Sequence, residues 1–148
     1  MMHIYASPIK IDVDKLMRIY HEADLSLREQ RNFCDDLYHF FNVRGAVYAV
    51  WEITGDYVCA LRVEPYRDGV IIAGLHTRSD MRGMGHASAL LSCVLEHLQQ
   101  KKVYSHIAKS NKPSIFVHQK CGFKQVADFA VFLDGTVSHN YVTYCVEN

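Results

Sequence analysis

Residues 75–88 read LHTRSDMRGMGHAS, and this stretch decides the fold prediction. The residues before it are apolar and strand-like, while apolar residues after it recur at helical spacing. We therefore predict that a strand ends here and that a helix begins at or near Gly83 and Gly85. The first turn of a helix has free amides and the positive end of the dipole, so it attracts phosphate. Glycines let a phosphate approach the backbone, and the segment predicts a phosphate-binding loop.

Two common phosphate-binding loops do not match this segment. A Walker loop requires a lysine after its last glycine, and residues 82–88 contain none. A dinucleotide-binding fingerprint requires a third Gly or Ala where Ser88 stands, together with a parallel sheet. The three strands predicted before the loop are antiparallel, so NAD is disfavoured as the ligand.

The order of elements around the loop predicts a mixed fold. Strands are predicted over 3–10, 46–53, 57–63, 70–77, 103–108, 123–133 and 141–146, and helices are predicted to begin near Asp12 or Asp14, at Ser26, at the glycine loop and at Pro113. The fold class is therefore α/β (α+β), in one domain over residues 1–148. We expect a mixed, mostly antiparallel central sheet of about six to seven strands, flanked by about four helices.

Cap and turn residues set the boundaries of these elements. Ser26 and Glu29 form a capping-box pattern, in which each side chain bonds the backbone of the other. Thr54-Gly55-Asp56 suits a hairpin turn, and a second break is predicted over 64–69. Gly122 is expected to end the last helix, and Asp134-Gly135 to separate the last two strands.

The composition excludes several classes of protein. Sixteen basic residues balance sixteen acidic ones, and the sequence shows no basic stripe. Nucleic acid is therefore disfavoured as a partner. No apolar run approaches the roughly 20 residues that span a bilayer, and no signal peptide is visible, so we expect a cytoplasmic protein without membrane contact. The five cysteines are odd in number and never form a C-x-x-C pair. Buried reduced thiols are expected, rather than a disulfide framework or a metal site.

Two motifs in the predicted elements resemble one family. Arg82-x-x-Gly85-x-Ala87 matches the R/Q-x-x-G-x-G/A signature of the GNAT superfamily of acetyl-CoA-dependent N-acyltransferases. The segment NKPSIFVHQKCGF at 111–123 is similar to that family's N-x-x-A-x-x-L-Y-x-x-x-G-F. The resemblance implies transfer of an acetyl group from acetyl-CoA to a primary amine. Direct attack by the amine needs neither a covalent enzyme intermediate nor a metal.

The resemblance also implies which residues bind the donor. The amides of 83–88 would bind the pyrophosphate of coenzyme A, the backbone of 75–77 would bond the pantetheine arm, and Arg82 would position the loop or meet a phosphate. The cofactor-binding set is Leu75, His76, Thr77, Arg82, Gly83, Met84, Gly85, His86, Ala87, Ser88 and Asn111.

The proton-transfer groups depart from the family pattern. His118 stands where the family usually has a tyrosine that protonates the coenzyme A sulfur, so it is either the acid or a polar residue beside the cofactor. His106 resembles a general base, because some members carry a catalytic Glu there; the alternative is a structural strand histidine. The His76 side chain could face either side of its strand. A covalent role for Cys121 is disfavoured by its position at a helix end.

The acceptor amine cannot be read from the sequence. Tyr38, His39, Phe40 and Phe41 either line an acceptor pocket or belong to the core. A small-molecule amine, a peptide N-terminus and a lysine side chain all remain open. The alternatives to an enzyme are a non-catalytic acyl-CoA-binding module and an interaction domain. Family members often dimerise, so a homodimer formed through the last two strands is a further expectation.

Overall fold

The computed structural model describes residues 1–99 and 101–148. Within these ranges the chain forms four α-helices: α1 (Val13–Tyr20), α2 (Leu27–Phe41), α3 (His86–His97) and α4 (Lys112–Lys120). The strands are β1 (Met2–Tyr5), β2 (Val47–Ile53), β3 (Asp56–Tyr66), β4 (Gly69–Thr77), β5 (Lys102–Ala108), β6 (Lys124–Ala127), β7 (Ala130–Val131), β8 (Val137–Ser138) and β9 (Tyr141–Glu147). Short 3-10 turns occupy Pro8–Lys10 and Ser79–Met81.

Seven strands form one sheet in the order β1-β2-β3-β4-β5-β9-β6. All neighbours in this sheet are antiparallel except β4 and β5, which are parallel. The predicted mixed, mostly antiparallel sheet with four flanking helices is therefore confirmed. The remaining strands, β7 and β8, pair with each other in a separate two-stranded ribbon.

The parallel pair β4–β5 is joined over only part of its length. Val70, Ile71 and Ile72 are in register with Val103, Tyr104 and Ser105, after which both strands continue without pairing to each other. At this point Gly74 has a φ of 65°, and the register between β3 and β4 shifts, which marks a β-bulge. The carboxyl halves of β4 and β5 consequently border an opening in the sheet.

Each face of the sheet is covered by two helices. On one face α3 contributes Leu90, Leu91 and Val94 to a core that includes Leu61 and Val103. This packing follows from the apolar stripe of α3, whose spacing predicts one buried side.

The opposite face is covered by α1 and α2 in a second core cluster. Leu16 and Phe40 pack there with Tyr48, and the ring of Phe40 meets that of Tyr48 edge-on at 5.8 Å. Phe40 therefore belongs to the core, whereas Tyr38 on the same helix is 56% exposed.

The predicted caps and the first hairpin are confirmed. The Asp12 side chain accepts a hydrogen bond from the Lys15 amide at 3.1 Å, and Ser26 and Glu29 form the capping box. Thr54 and Gly55 both have positive φ, at 49° and 85°, as a type I′ hairpin turn requires.

Several boundaries predicted from the sequence are wrong. The first strand, predicted within 3–10 to end near Pro8, ends at Tyr5, because Ser7 caps a 3-10 turn that begins at Pro8. Strand β3 continues to Tyr66, through part of the break predicted over 64–69.

The C-terminal region also differs from the prediction. The segment 123–133 is not one strand, since Thr143 Oγ donates to Phe129 O at 2.7 Å and Tyr66 Oη to Val131 O at 2.7 Å, which hold the chain off the sheet. Asp134-Gly135 therefore turns β7 into β8. Strand β9 lies between β5 and β6, so it presents no free edge to a second subunit.

The cysteines match the prediction only in part. All five cysteines are free, but only Cys59 and Cys145 are buried, so the expected burial of the thiols is wrong for the other three. In the described parts of the chain no helix combines the length and apolarity needed to cross a membrane.

Candidate functional site

The glycine loop leads directly into α3. Gly83 and Gly85 have φ of 75° and 84°, in the left-handed region that favours glycine. Gly85 is the N-cap residue of α3, and its position provides no side chain to bond the first amides of the helix. A Cβ built at either glycine would meet nothing within 4 Å, so the surface of the loop is open. The first turn of α3 thus keeps amides available for an anion.

Arg82 ties this loop to the end of β4. Its Nε donates to Thr77 O at 3.1 Å, and its Nη2 lies 3.0 Å from His76 Nε2. A guanidinium has only donors, so the histidine nitrogen accepts. The His76 ring also stacks on Tyr20, with the ring centroids 5.3 Å apart. The side chain of His76 therefore faces α1 and the loop, which resolves the orientation that the sequence left open.

Asn111 fixes the other border of the opening. Its backbone amide donates to Ala108 O at 2.9 Å, at the end of β5, and its Oδ1 caps α4 by accepting from the Ser114 amide at 3.3 Å. Parallel strands end at the same edge of a sheet, so Asn111 and Thr77 lie at the same end of the opening. The backbone of 75–77 and Asn111 thus flank the predicted pantetheine path.

His106 lies on β5 just beyond its last residue paired with β4. The ring meets Tyr66 and Phe132 edge-on, at centroid distances of 5.4 and 5.3 Å, and Nε2 is 3.4 Å from Tyr66 Oη. Burial, and then the nearby Arg67 guanidinium, lower the pKa of His106. Near neutral pH the ring is therefore neutral, which is the form that can accept a proton.

His118 is almost completely buried in α4, with 1% of its surface exposed. Its Nδ1 lies 2.7 Å from the Ser114 carbonyl oxygen, and its ring packs edge-on against Phe123. The carbonyl can only accept, so Nδ1 carries a proton, and Nε2 has no partner among the described residues. Burial lowers the pKa of His118. A proton on Nε2 would require the cationic ring.

The structure does not bring the two proposed proton-transfer histidines onto one face. His118 packs with Phe123, which belongs to the core under α3, whereas His106 contacts Tyr66 on the opposite face of the sheet. The sheet therefore lies between the two rings.

Three aromatic residues beside the histidines were not predicted: Tyr20 stacks on His76, and Tyr66 and Phe132 pack against His106. The sequence predicts Tyr20 in the first helix, Tyr66 in the break over 64–69 and Phe132 in a strand, with no role beside a histidine. Only the tertiary packing brings them together, although an aromatic residue at each position was visible. Among the described residues, no cluster of three or more His, Cys, Asp or Glu side chains could hold a metal ion.

Comparison with known proteins identifies the family. The model of the acetyltransferase (GNAT) family matches residues 13–123, which include both motifs and the helices α1 to α4. The chain belongs to the GNAT acetyltransferase family.

Solved structures of this family share the fold at low sequence identity. The ribosomal-protein-S18-alanine N-acetyltransferase from Escherichia coli is 15% identical with a TM-score of 0.68, over 99% of this chain and 94% of that one. The ribosomal-protein-alanine N-acetyltransferase from Brucella melitensis is 17% identical with a TM-score of 0.69, over 100% and 99%. A GNAT-family acetyltransferase from Bacillus cereus ATCC 10987 is 18% identical with a TM-score of 0.71, over 100% and 98%. No curated protein sequence matches the chain.

Proposed function

We propose that this chain is an acetyl-CoA-dependent N-acetyltransferase, formed by one domain over residues 1–148. The acetyl group passes to a primary amine by direct attack, without a covalent enzyme intermediate. The observation that carries the proposal is the opening between β4 and β5, which leads to the glycine loop and the first turn of α3.

The residues at this opening fit coenzyme A. When bound, acetyl-CoA supplies the activated acetyl group. The amides of 83–88 hold its pyrophosphate, because Gly83 and Gly85 leave the loop surface open and the helix dipole favours an anion. The unpaired side of 75–77 bonds the pantetheine arm as a neighbouring strand would, and Asn111 bonds it from the other border.

His106 acts as the general base. The acceptor must lose a proton from its ammonium group before it can attack, and the neutral imidazole of His106 can take that proton at Nδ1. Its Nε2 faces Tyr66 Oη, whose own hydrogen is donated to Val131 O, so Nε2 carries the proton of the neutral ring. Tyr66 and Phe132 keep the ring in place and lower its exposure to water.

His118 is the proposed acid for the leaving thiolate, acting from Nε2 of its protonated ring. Burial lowers the pKa of His118, so this cation is the minor form near neutrality. Departure of the thiolate without protonation is the alternative.

The acceptor is a primary amine of a small molecule or a peptide. Two relatives are ribosomal-protein-alanine N-acetyltransferases, which supports including peptides with N-terminal alanine among the acceptors tested. If two copies associate, β6 is the available C-terminal edge strand, because it ends the sheet and exposes 59% of Val126.

The test combines thermal unfolding with thiol release. Acetyl-CoA at about one hundred times its Kd should stabilise the protein by ~2.7 kcal/mol and raise Tm by about 5 to 10 °C. Release of free thiol should then depend on one or more amines from a panel of small amines, lysine and alanine peptides. A Tm increase without release on any amine favours a non-catalytic acyl-CoA-binding module. An unchanged Tm contradicts both readings and leaves an interaction domain.

A further inference from the structure

The contact between His76 and Arg82 fixes where the histidine proton lies. Arg82 Nη2 is 3.0 Å from His76 Nε2, and a guanidinium nitrogen cannot accept a hydrogen bond. Nε2 must therefore present its lone pair, so the neutral ring carries its proton on Nδ1. If the ring were protonated, it and the Arg82 guanidinium would be two cations facing each other at this distance.

The surroundings of His76 favour this neutral form. Arg82 faces it from the glycine loop, Tyr20 and His21 face it from the end of α1, and its register partner on β3 is Ala60. Burial and then the Arg82 charge hold the pKa of His76 below its ordinary value. No carboxylate hydrogen-bonds or pairs with His76 in the described ranges to stabilise an imidazolium.

The ring is also held from behind. Tyr20 stacks on it, and the Tyr20 hydroxyl is itself fixed, because it donates to Gly74 O at 3.0 Å and lies 2.8 Å from Tyr48 Oη. Gly74 is the bulge residue of β4. His76 is thus an acceptor held in place at the end of the strand, and its partner Arg82 is exposed.

We propose that neutral His76 is a positioning residue, which holds Arg82 and thereby preorganises the glycine loop for the pyrophosphate of coenzyme A. This inference rests on the proposed function of that loop. With Nη2 held by His76, Arg82 Nε donates to Thr77 O, so the start of the loop is fixed to the end of β4. A loop that is ordered before binding loses less conformational freedom when the ligand arrives.

The first test reads the histidine ring without any ligand. In the ¹⁵N spectrum of the imidazole nitrogens at alkaline pH, the His76 signals should be those of the Nδ1–H form. In Arg82→Ala the ring should lose this single form, and the pKa of His76 should rise, because a neighbouring cation and a donor to the neutral ring are both removed. An Nε2–H ring in the wild type, or a pKa unchanged in Arg82→Ala, overturns the contact.

The second test measures the Kd of coenzyme A by titration calorimetry. His76→Ala and Arg82→Ala should each weaken binding roughly three- to tenfold, and the double variant should bind no more weakly than Arg82→Ala, since both act through one contact. His76→Gln is the matched control. The glutamine carbonyl oxygen can replace Nε2 as the acceptor, and a side-chain amide does not become protonated near neutral pH. This variant should bind within about twofold of the wild type.

The outcomes separate the two proposals. Wild-type affinity in His76→Ala, or a His76→Gln variant as weak as His76→Ala, contradicts the positioning role. Additive losses in the double variant contradict it as well. If the wild type itself fails to bind coenzyme A, the proposed function and the cofactor part of this inference both fail, while the ¹⁵N spectrum still decides whether His76 holds Arg82. A wild-type Tm in His76→Ala would exclude misfolding as the cause of a loss.

Discussion

The histidines around the opening do not use the same ring nitrogen for their hydrogen bonds. His76 uses Nε2 to accept from Arg82, whereas His118 uses Nδ1 to donate to Ser114. Burial is the largest cause that lowers the pKa of each, including His106. Near neutral pH all three rings are therefore neutral, so none is mainly in the cationic form that could protonate a thiolate. The site is better equipped to deprotonate an ammonium than to protonate a thiolate.

Replacing His106 tests whether a neutral histidine deprotonates the acceptor. Because a base works only when it is unprotonated, wild-type kcat/KM should be lost as pH falls through the pKa of His106, which lies below the ordinary value of about 6.5. His106→Ala should lower kcat/KM by about 100-fold or more and abolish this acidic limb. The measurement is the pH profile of kcat/KM with an acceptor identified by thiol release.

Arg67→Gln provides the control for this profile. Arg67 lowers the pKa of His106 by its charge, so removing it should move the acidic limb to higher pH while the limb itself persists. An acidic limb that survives unchanged in His106→Ala would show that another group is the base.

At the scale of elements, the bulge in β4 decides which of its side chains face α3 and which face α1. Before the bulge, Val70 and Ile72 pack in the core under α3. Simple alternation would then place His76 on that same face. The bulge at Gly74 shifts the alternation by one residue, so Leu75 packs against the core and His76 contacts Tyr20 on the other face. The orientation of His76 could not be predicted, since a bulge depends on tertiary pairing.

The glycine loop was predictable for the opposite reason. Its conformation depends on local backbone geometry, and glycine is the residue type that favours the positive φ observed at Gly83 and Gly85. Capping residues such as Ser26 are similarly local, and they were predicted correctly. The prediction of one strand over 123–133 was wrong because Tyr66 and Thr143, which are distant in sequence, hold part of that segment away from the sheet.

Two glycines with the same conformation allow a matched test of the loop. Gly85 and Gly55 have φ of 84° and 85°, and a Cβ at either would meet nothing within 4 Å. Gly85→Ala and Gly55→Ala should each lower the free energy of unfolding by about 1 kcal/mol, from backbone strain alone. Only Gly85→Ala should weaken the binding of coenzyme A, because Gly55 lies in the β2–β3 hairpin, away from the loop. Urea unfolding and calorimetry measure the two effects.

Either of two results would count against a binding role for the loop. One is an unchanged Kd for coenzyme A in Gly85→Ala despite the expected loss of stability. The other is an equal loss of affinity in Gly55→Ala, which would mean that affinity simply follows global stability.

At the scale of the whole molecule, the sheet depends on the short junction of β4 with β5. Gly69 stands at the start of this junction, and a Cβ there would lie 2.0 Å from Lys102 O. Gly69→Ala must push the two strands apart, so we expect a loss of about 2 to 3 kcal/mol in the free energy of unfolding. Urea unfolding measures it, with Gly55→Ala as the control for a glycine in open space. A loss no greater than that of the control would contradict the prediction.

The order of strands was the part of the architecture that the sequence could not provide. The number and sequence of elements follow from local periodicity, and they were predicted closely. The insertion of β9 between β5 and β6 depends on pairing Tyr141–Glu147 with Lys102–Ala108. Such pairing is selected by the whole sheet, and no spacing within either segment encodes it.

The partial junction of β4 and β5 also bears on the cooperativity of unfolding. It divides the sheet into a block of β1 to β4 and a block of β5, β9 and β6, which share three registered residue pairs. A pantetheine arm between the free strand halves would bond both blocks and join them mechanically. Substrate binding would then add backbone hydrogen bonds between the two blocks, which otherwise meet through these three pairs and the shared core under α3. The donor substrate would in this sense be a removable strand of the fold.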